Sequence, residues 1–188
     1  MKLYSYVMTH DTGFSPNPFF GYCTLACCKP KIRRHAVIGD WVVGTGSVDN
    51  VGGDKIIYVM EVTKVISLEK YSQDKTYSIK IPSEETSRQS GDNIYYKDKN
   101  NNWLQRRSYH CIKEMKKDLE GRYALISTNY CYFGKKAILV PKQHEAIIKK
   151  GPGHKCRFPQ HVVDDFISWI RKVYKPGVHG EPYGKTLL

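Results

Sequence analysis

Residues 41–66 decide most of what this chain can fold into. Trp41-Val42-Val43-Gly44-Thr45-Gly46-Ser47 is an apolar run that argues for a buried strand. It is entered through Gly39-Asp40 and left through the glycine-rich Val51-Gly52-Gly53-Asp54. Beyond that loop, Lys55 to Ile66 (KIIYVMEVTKVI) is long and rich in β-branched residues, the strongest strand signal in the chain. The segment therefore reads as strand, loop, strand. Gly44 and Gly46 mark a bulge or a close approach of the backbone to another group.

Further strands are expected at Lys2 to Met8, Tyr123 to Ser127 and Ala137 to Val140. Helices are expected from His110 to Glu120, with Ile112, Met115 and Leu119 in register, and from Pro159 to Lys175, with a stripe of Val162, Phe166, Trp169, Ile170 and Val173. Pro141 opens a shorter helix that ends at Lys149-Lys150-Gly151. The polar stretch from Ser67 to Arg107 contains a small exposed hairpin, and the last ten residues read as a loose tail. Together these predict an α+β fold, a small mixed β-barrel with peripheral helices and a C-terminal helix. We expect a single domain over residues 1–188, with the barrel core over 1–150, an inserted hairpin near 90–107, and the C-terminal helix and tail over 151–188.

Charge narrows the partners. Thirty Lys and Arg face eighteen Asp and Glu, a formal charge of +12, and such a surface gains affinity for polyanions by releasing their counterions. Nucleic acid leads, DNA ahead of RNA. An anionic membrane surface and a small phosphorylated ligand follow. No window has the length of a transmembrane helix and no secretory signal precedes the six cysteines, so a reducing cytoplasm with free thiols is expected.

The first fifty residues concentrate the chemistry. The loop Thr9 to Tyr22 carries Phe14, Phe19, Phe20 and Tyr22 beside Pro16 and Pro18, more apolar surface than an exposed loop usually has. It either packs back on the core or lines a pocket. A short helix or turn over Cys23 to Arg34 would place Lys29, Lys31, Arg33 and Arg34 at one edge. Cys23, Cys27 and Cys28 lack a matching second pair for zinc, so no metal and no cofactor are expected. Cys27 or Cys28 beside Lys29 is a possible nucleophile, and His10 with Asp11 a possible acid–base pair, but neither has diagnostic spacing. Phosphate-loop, dinucleotide, zinc-protease and serine-hydrolase signatures are absent.

The segments GDWVVGTGS and IIYVMEVTKV are similar to the central hairpin of PUA-like domains, in particular the EVE and YTH branches. More closely, THDTGFSPNPFFGYCTLACCKPKIRRHAVIGDWVVGTGS together with ALISTNYCYFGKKAILVP resembles the second nucleotide-modification-associated domain family, from Met1 to about Lys155. The resemblance implies a PUA-like barrel and a domain found with DNA-base modification and defence systems. Its PUA-like kin take a flipped modified base into an aromatic pocket. The N-terminal loop lacks the tryptophan-based segment of the EVE pattern, and no catalytic residue carries across.

A pocket for an extruded base needs an aromatic wall, fixed polar groups and cations for the flanking phosphates. The candidate base pocket is Asp11, Asn17, Phe19, Phe20, Trp41, Ser47, Tyr132 and Phe133. The candidate phosphate contacts are Lys29, Lys31, Arg33, Arg34, Lys155 and Arg157. The resulting expectation is a module that recognises a modified or flipped base in nucleic acid. The alternatives are an enzyme of glycosylase or hydrolase type acting on a modified base or nucleotide, and a protein-interaction module. Oligomeric state stays open.

Overall fold

The computed structural model describes residues 1–85 and 88–184. Its main sheet is built from β1 (Leu3–Val7), β3 (Trp41–Thr45), β4 (Lys55–Glu61), β9 (Tyr130–Tyr132) and three two-residue strands, β10 (Ile138–Leu139), β11 (His154–Lys155) and β12 (Gly177–Val178). The order is β11-β1-β3-β4-β9-β12, with β10 also pairing to β4. β1 runs parallel to β3, and β3 antiparallel to β4 with a register shift at Gly44/Thr45. A Cβ at Gly44 would lie 2.4 Å from Met8 Sδ and 2.5 Å from the Tyr58 ring, so the sheet interior at this position has room only for glycine.

A second sheet has the order β2 (Cys23–Leu25), β8 (Tyr123–Ser127), β5 (Lys64–Ser67), all antiparallel. The ribbons β4–β9 and β5–β8 are continuous, bent where Thr63 N donates to Ile126 O and Glu61 N to Asn129 O. A hairpin, β6 (Tyr95–Lys97) with β7 (Trp103–Gln105), stands apart. The helices are α1 (Pro30–His35), α2 (Leu68–Gln73), α3 (Met115–Leu119) and α4 (Gln160–Val173), joined by several 3-10 turns.

The mixed α+β expectation holds, but the sheets do not close into a barrel. The edge strands β11 and β12 do not pair with each other, because the main sheet buries both faces in other ways. On one side Leu3, Trp41, Val43 and Val59 meet Phe166, Ile167 and Ile170 of α4. On the other, Tyr4, Tyr6, Val42, Tyr58 and Met60 meet Leu25 and Leu125 of the second sheet. This is the period-two alternation of a strand buried on both faces. A third core, with Phe14, Cys27, Tyr71, Tyr77, Ile94 and Tyr95, fills the outer face of the second sheet.

Two further expectations change. Residues 23–25 are a strand, because Asn17 and Thr24 bridge and Thr24 pairs with Ile126 of β8. The described part of the tail is not loose. Gly177–Val178 extend the sheet beside β9, His179 N donates to Tyr132 O, and Gly184 N donates to Asp11 O. Residues 185–188 of that tail lie outside the described residues. Among the described residues no helix is long and apolar enough to cross a membrane.

Candidate active site

A cavity of about 580 Å³ opens between β1, the N-terminal loop, the start of α1 and the segment leading into α3. Its walls include Tyr6, Phe14, Tyr109, Lys29, Lys31 and Lys117, and its polar floor is Cys28, His110 and Asp118. That size suits a ligand of nucleotide dimensions.

Cys28 owes its position to a strained turn. β2 ends at Leu25, and the chain then takes φ 58° at Cys28 and φ 41° at Lys29 before Pro30 starts α1. Two successive non-glycine residues in the left-handed region are costly and persist only where their surroundings fix them. Here Cys28 N donates to Asp118 Oδ1 (2.8 Å), Arg33 Nε donates to Cys28 O (2.7 Å), and Ser15 Oγ donates to Cys27 O (2.7 Å). A tight strand-to-helix turn of this kind is how several hydrolases project a nucleophile. It also separates the neighbouring thiols. Cys27 is fully buried, and burial pushes its thiol well above the ordinary range, whereas Cys28 is only half-buried and lines the cavity.

Cys28 Sγ lies 3.3 Å from His110 Nε2, and His110 Nδ1 lies 2.8 Å from Asp118 Oδ2. Asp118 is 3% exposed. Its Oδ2 also accepts from Tyr95 OH (2.8 Å), and its Oδ1 is 3.7 Å from Arg33 NH2. Burial alone would raise the Asp118 carboxyl, but His110, Arg33 and Tyr95 together hold it below the usual carboxylate value. Burial also opposes charge on His110. The hydrogen bonds and charges of Asp118 and Cys28 outweigh it and raise the imidazole to about 10. The ring of Phe14, 4.8 Å away, closes one side of the imidazole. The result is a thiol, an imidazole directed at it, and a carboxylate that orients the imidazole and favours its charged form, an arrangement suited to nucleophilic chemistry. Among the described residues no three His, Cys, Asp or Glu side chains are grouped to hold a metal ion.

The residues expected to form one concave site are distributed over separate places. Lys29 and Lys31 line the cavity. Asp11 is buried under the tail and accepts from Tyr132 OH (2.6 Å) and Tyr183 N (3.3 Å). Asn17 is fully buried and both its side-chain amide and its carbonyl are engaged, with Lys80 Nζ 2.6 Å from Oδ1. Phe19 and Phe20 pack edge to face and do not reach the cavity. Trp41, Tyr132 and Phe133 are core residues, and Ser47 lies in the turn after β3. Arg33 is wholly buried, so it clamps the Cys28 turn and meets no solvent phosphate. Arg34 donates to Glu120 O on the outside of α1. Lys155 donates to Ala146 O and covers the Phe158 ring, and Arg157 is exposed beyond β11.

His110 and Asp118 were not legible as site residues. They sit eighty-two and ninety residues after Cys28 in a stretch whose spacing signals only a helix. The available signal was Cys-Lys-Pro after a short β run, which marks a turn into a helix N-terminus. The chain matches no curated protein and no solved structure. Over residues 1–187 it matches the family model described as nucleotide modification associated domain 2, and the chain belongs to that family.

Proposed function

We propose that this protein is an enzyme of nucleotide modification that uses Cys28 as a covalent nucleophile. The observation that carries the proposal is the chain of contacts from Cys28 Sγ through His110 to Asp118 in the floor of the large cavity. The proton of the pair resides on His110 Nε2, which leaves the Cys28 sulfur as the attacking thiolate. The sulfur bonds to an electrophilic carbon of the substrate, and the displaced electron pair goes to the leaving group or into the substrate. The imidazolium then returns the proton to whichever atom receives that pair. Asp118 keeps the imidazole oriented throughout and stabilises its charged form. A working thiol and five further free cysteines suit a reducing cytoplasm.

Iodoacetamide labelling with peptide mass spectrometry tests this inside one molecule. Cys111 is exposed and Cys28 half-buried, so access alone makes Cys111 the faster thiol. An imidazolium partner reverses the order, and Cys28 is expected to react at least about tenfold faster at neutral pH. His110→Gln removes the excess. Faster labelling of Cys111 in the unaltered protein would sink the proposal.

A second reading is favoured by the charge of +12. The same cavity receives a modified or flipped base from nucleic acid, DNA ahead of RNA, with Tyr109 as the ring available for stacking because it is 42% exposed. Binding to modified oligonucleotides that exceeds binding to plain ones, with no covalent adduct at Cys28, would favour recognition over catalysis.

A further inference from the structure

The cavity has a catalytic floor and, beside it, a cationic wall that the thiol chemistry does not use. Lys29, Lys31, Lys117 and His154 line it. Among the described residues none of these three lysines lies in an ion pair. Lys29 is half-buried with Nζ 4.2 Å above the Tyr6 ring. The acids of the cavity are Glu114 and Asp118, and both are engaged elsewhere. Asp118 serves His110, Tyr95, Cys28 and Arg33, while Glu114 accepts from Cys111 N and lies 4.0 Å from His110 Nδ1.

Positive charge gathered in a concave site without acid partners is costly to hold, and an anion relieves that cost. The neighbouring groups register the field. Burial and Lys117 draw the Lys29 ammonium down, although Cys28 acts the other way. Burial, then Lys31, His35, Lys29 and Lys149, draw the His154 imidazole below its ordinary value. Lys29 thus feels Lys117, and His154 feels Lys29 and Lys31, all residues that line the same cavity.

We propose that Lys29, Lys31, Lys117 and His154 form a phosphate site, so that the substrate presented to Cys28 is a nucleotide and not a nucleoside. The proposal rests on the reading of the cavity as a nucleotide-modifying site and specifies its substrate class. The phosphate is held by the lysines at one side, which leaves the base or its substituent to face the sulfur. Tyr109 at the rim, 42% exposed and 5.7 Å from Phe14, offers a ring face to the same ligand. A free nucleotide and a nucleotide within a strand share this chemistry, and their affinities tell them apart.

Calorimetry with the full-length Cys28→Ala protein, in which no turnover occurs, would compare 2′-deoxynucleosides, their 5′-monophosphates, inorganic phosphate and a short single-stranded oligonucleotide. The monophosphates are expected to bind at least about tenfold tighter than the nucleosides at low salt, an advantage that fades as salt rises. A free nucleotide is the natural ligand if the monophosphate outbinds the oligonucleotide, and a strand is the ligand if the order reverses. Lys31→Ala and Lys117→Ala should each erase several-fold of the phosphate advantage. Lys64→Ala, which removes the same charge beside Asp74 and outside the cavity, should not. In the unaltered fold, the His154 ring proton resonances should titrate at higher pH when inorganic phosphate is added, a readout that needs no substitution. Equal affinity for nucleoside and monophosphate, or equal effects of Lys31→Ala and Lys64→Ala, would overturn the phosphate site. Those outcomes are separate from the Cys28 labelling order. Unreactive Cys28 with intact phosphate binding removes the catalytic reading alone, and reactive Cys28 without a phosphate advantage removes this site alone.

Discussion

Gly121→Ala isolates the clamp that holds the Cys28 turn. Gly121 lies just beyond α3, and its N–H donates to Asp118 O. Its backbone is not left-handed, so an alanine is conformationally permitted there. By itself the change restricts the unfolded chain and would add roughly 0.4–1 kcal/mol of stability. Space reverses the sign. A Cβ at residue 121 would sit 2.4 Å from Arg33 Cζ and 2.5 and 2.6 Å from its two terminal nitrogens. The guanidinium has nowhere to retreat without loss. Arg33 is fully buried and donates to Cys28 O at 2.7 Å, Tyr123 O at 2.9 Å and Asp118 O at 2.5 Å. Overpacking costs about 1–3 kcal/mol, and breaking one such charged hydrogen bond costs about 1.5–3 kcal/mol. After the gain from the unfolded chain, the net loss is about 1.5–5.5 kcal/mol. For a chain of this length that is a fall in Tm of about 3–22 °C in calorimetry. Because Arg33 Nε anchors the Cys28 peptide, the rate advantage of Cys28 in iodoacetamide labelling should fall as well. Gly53→Ala is the control, since its nearest neighbour is Val48 Cγ1 at 4.0 Å and its backbone is also not left-handed. That variant should be neutral or slightly stabilised. An unchanged or raised Tm in Gly121→Ala would refute the clamp.

Other outcomes follow from buried groups. His110 is raised from 6.5 to about 10 in the folded protein. Its contribution to stability is therefore complete below pH 6.5 and is lost as pH rises toward 10. Lys80 is lowered to about 8 and acts with the opposite sign above that pH. Chemical denaturation between pH 6.5 and 8 should thus show stability falling with pH in the unaltered protein and a flatter profile in His110→Gln; equal slopes would count against the His110–Asp118 pair. Lys80→Met strips the donor from Asn17 O, Asn17 Oδ1, Phe19 O and Tyr22 O, all within 3.1 Å of Nζ. Urea titration should show a loss of at least about 3 kcal/mol, and a loss under 1 kcal/mol would mean that the loop holds itself. Asp11→Asn weakens the contacts to Tyr132 and Tyr183, so its Tm should drop while Cys28 keeps its labelling advantage. Loss of that advantage would restore Asp11 to the chemistry.

Local patterns carried the elements, and long-range pairing decided the rest. The β1 and β4 strands and the α4 helix are visible as β-branched runs and as an apolar stripe, since each is set by its own side chains. The strand pattern suggested a barrel, and that the sheet stays open was not visible. Whether β11 meets β12 depends on what covers the sheet, and the coverage comes from α4 and from a second sheet whose β2 is only three residues long. The aromatic loop was legible as a loop that must bury its rings, but not where it buries them. Phe14 turns to His110 in the cavity floor, while Asn17 is drawn inward by Lys80, sixty-three residues away. Arg33 shows the same limit, for it was read as a surface cation from its neighbours Lys31 and Arg34. The partners Asp118 and Tyr123, supplied by α3 and β8, together with Cys28 O make its burial tolerable. Cys28 was read as one of two adjacent thiols, and the left-handed turn, set by contacts from distant segments, is what distinguishes it from Cys27.

Lys80 has a meaning beyond the hydrogen bonds it donates. Its ammonium is surrounded by four oxygen atoms of the loop 17–22, the kind of ligand set with which many proteins hold a metal ion. Here the ion is covalently tethered to the chain. The loop therefore keeps its shape whatever cations the surrounding medium supplies, and chelation should leave it unaltered.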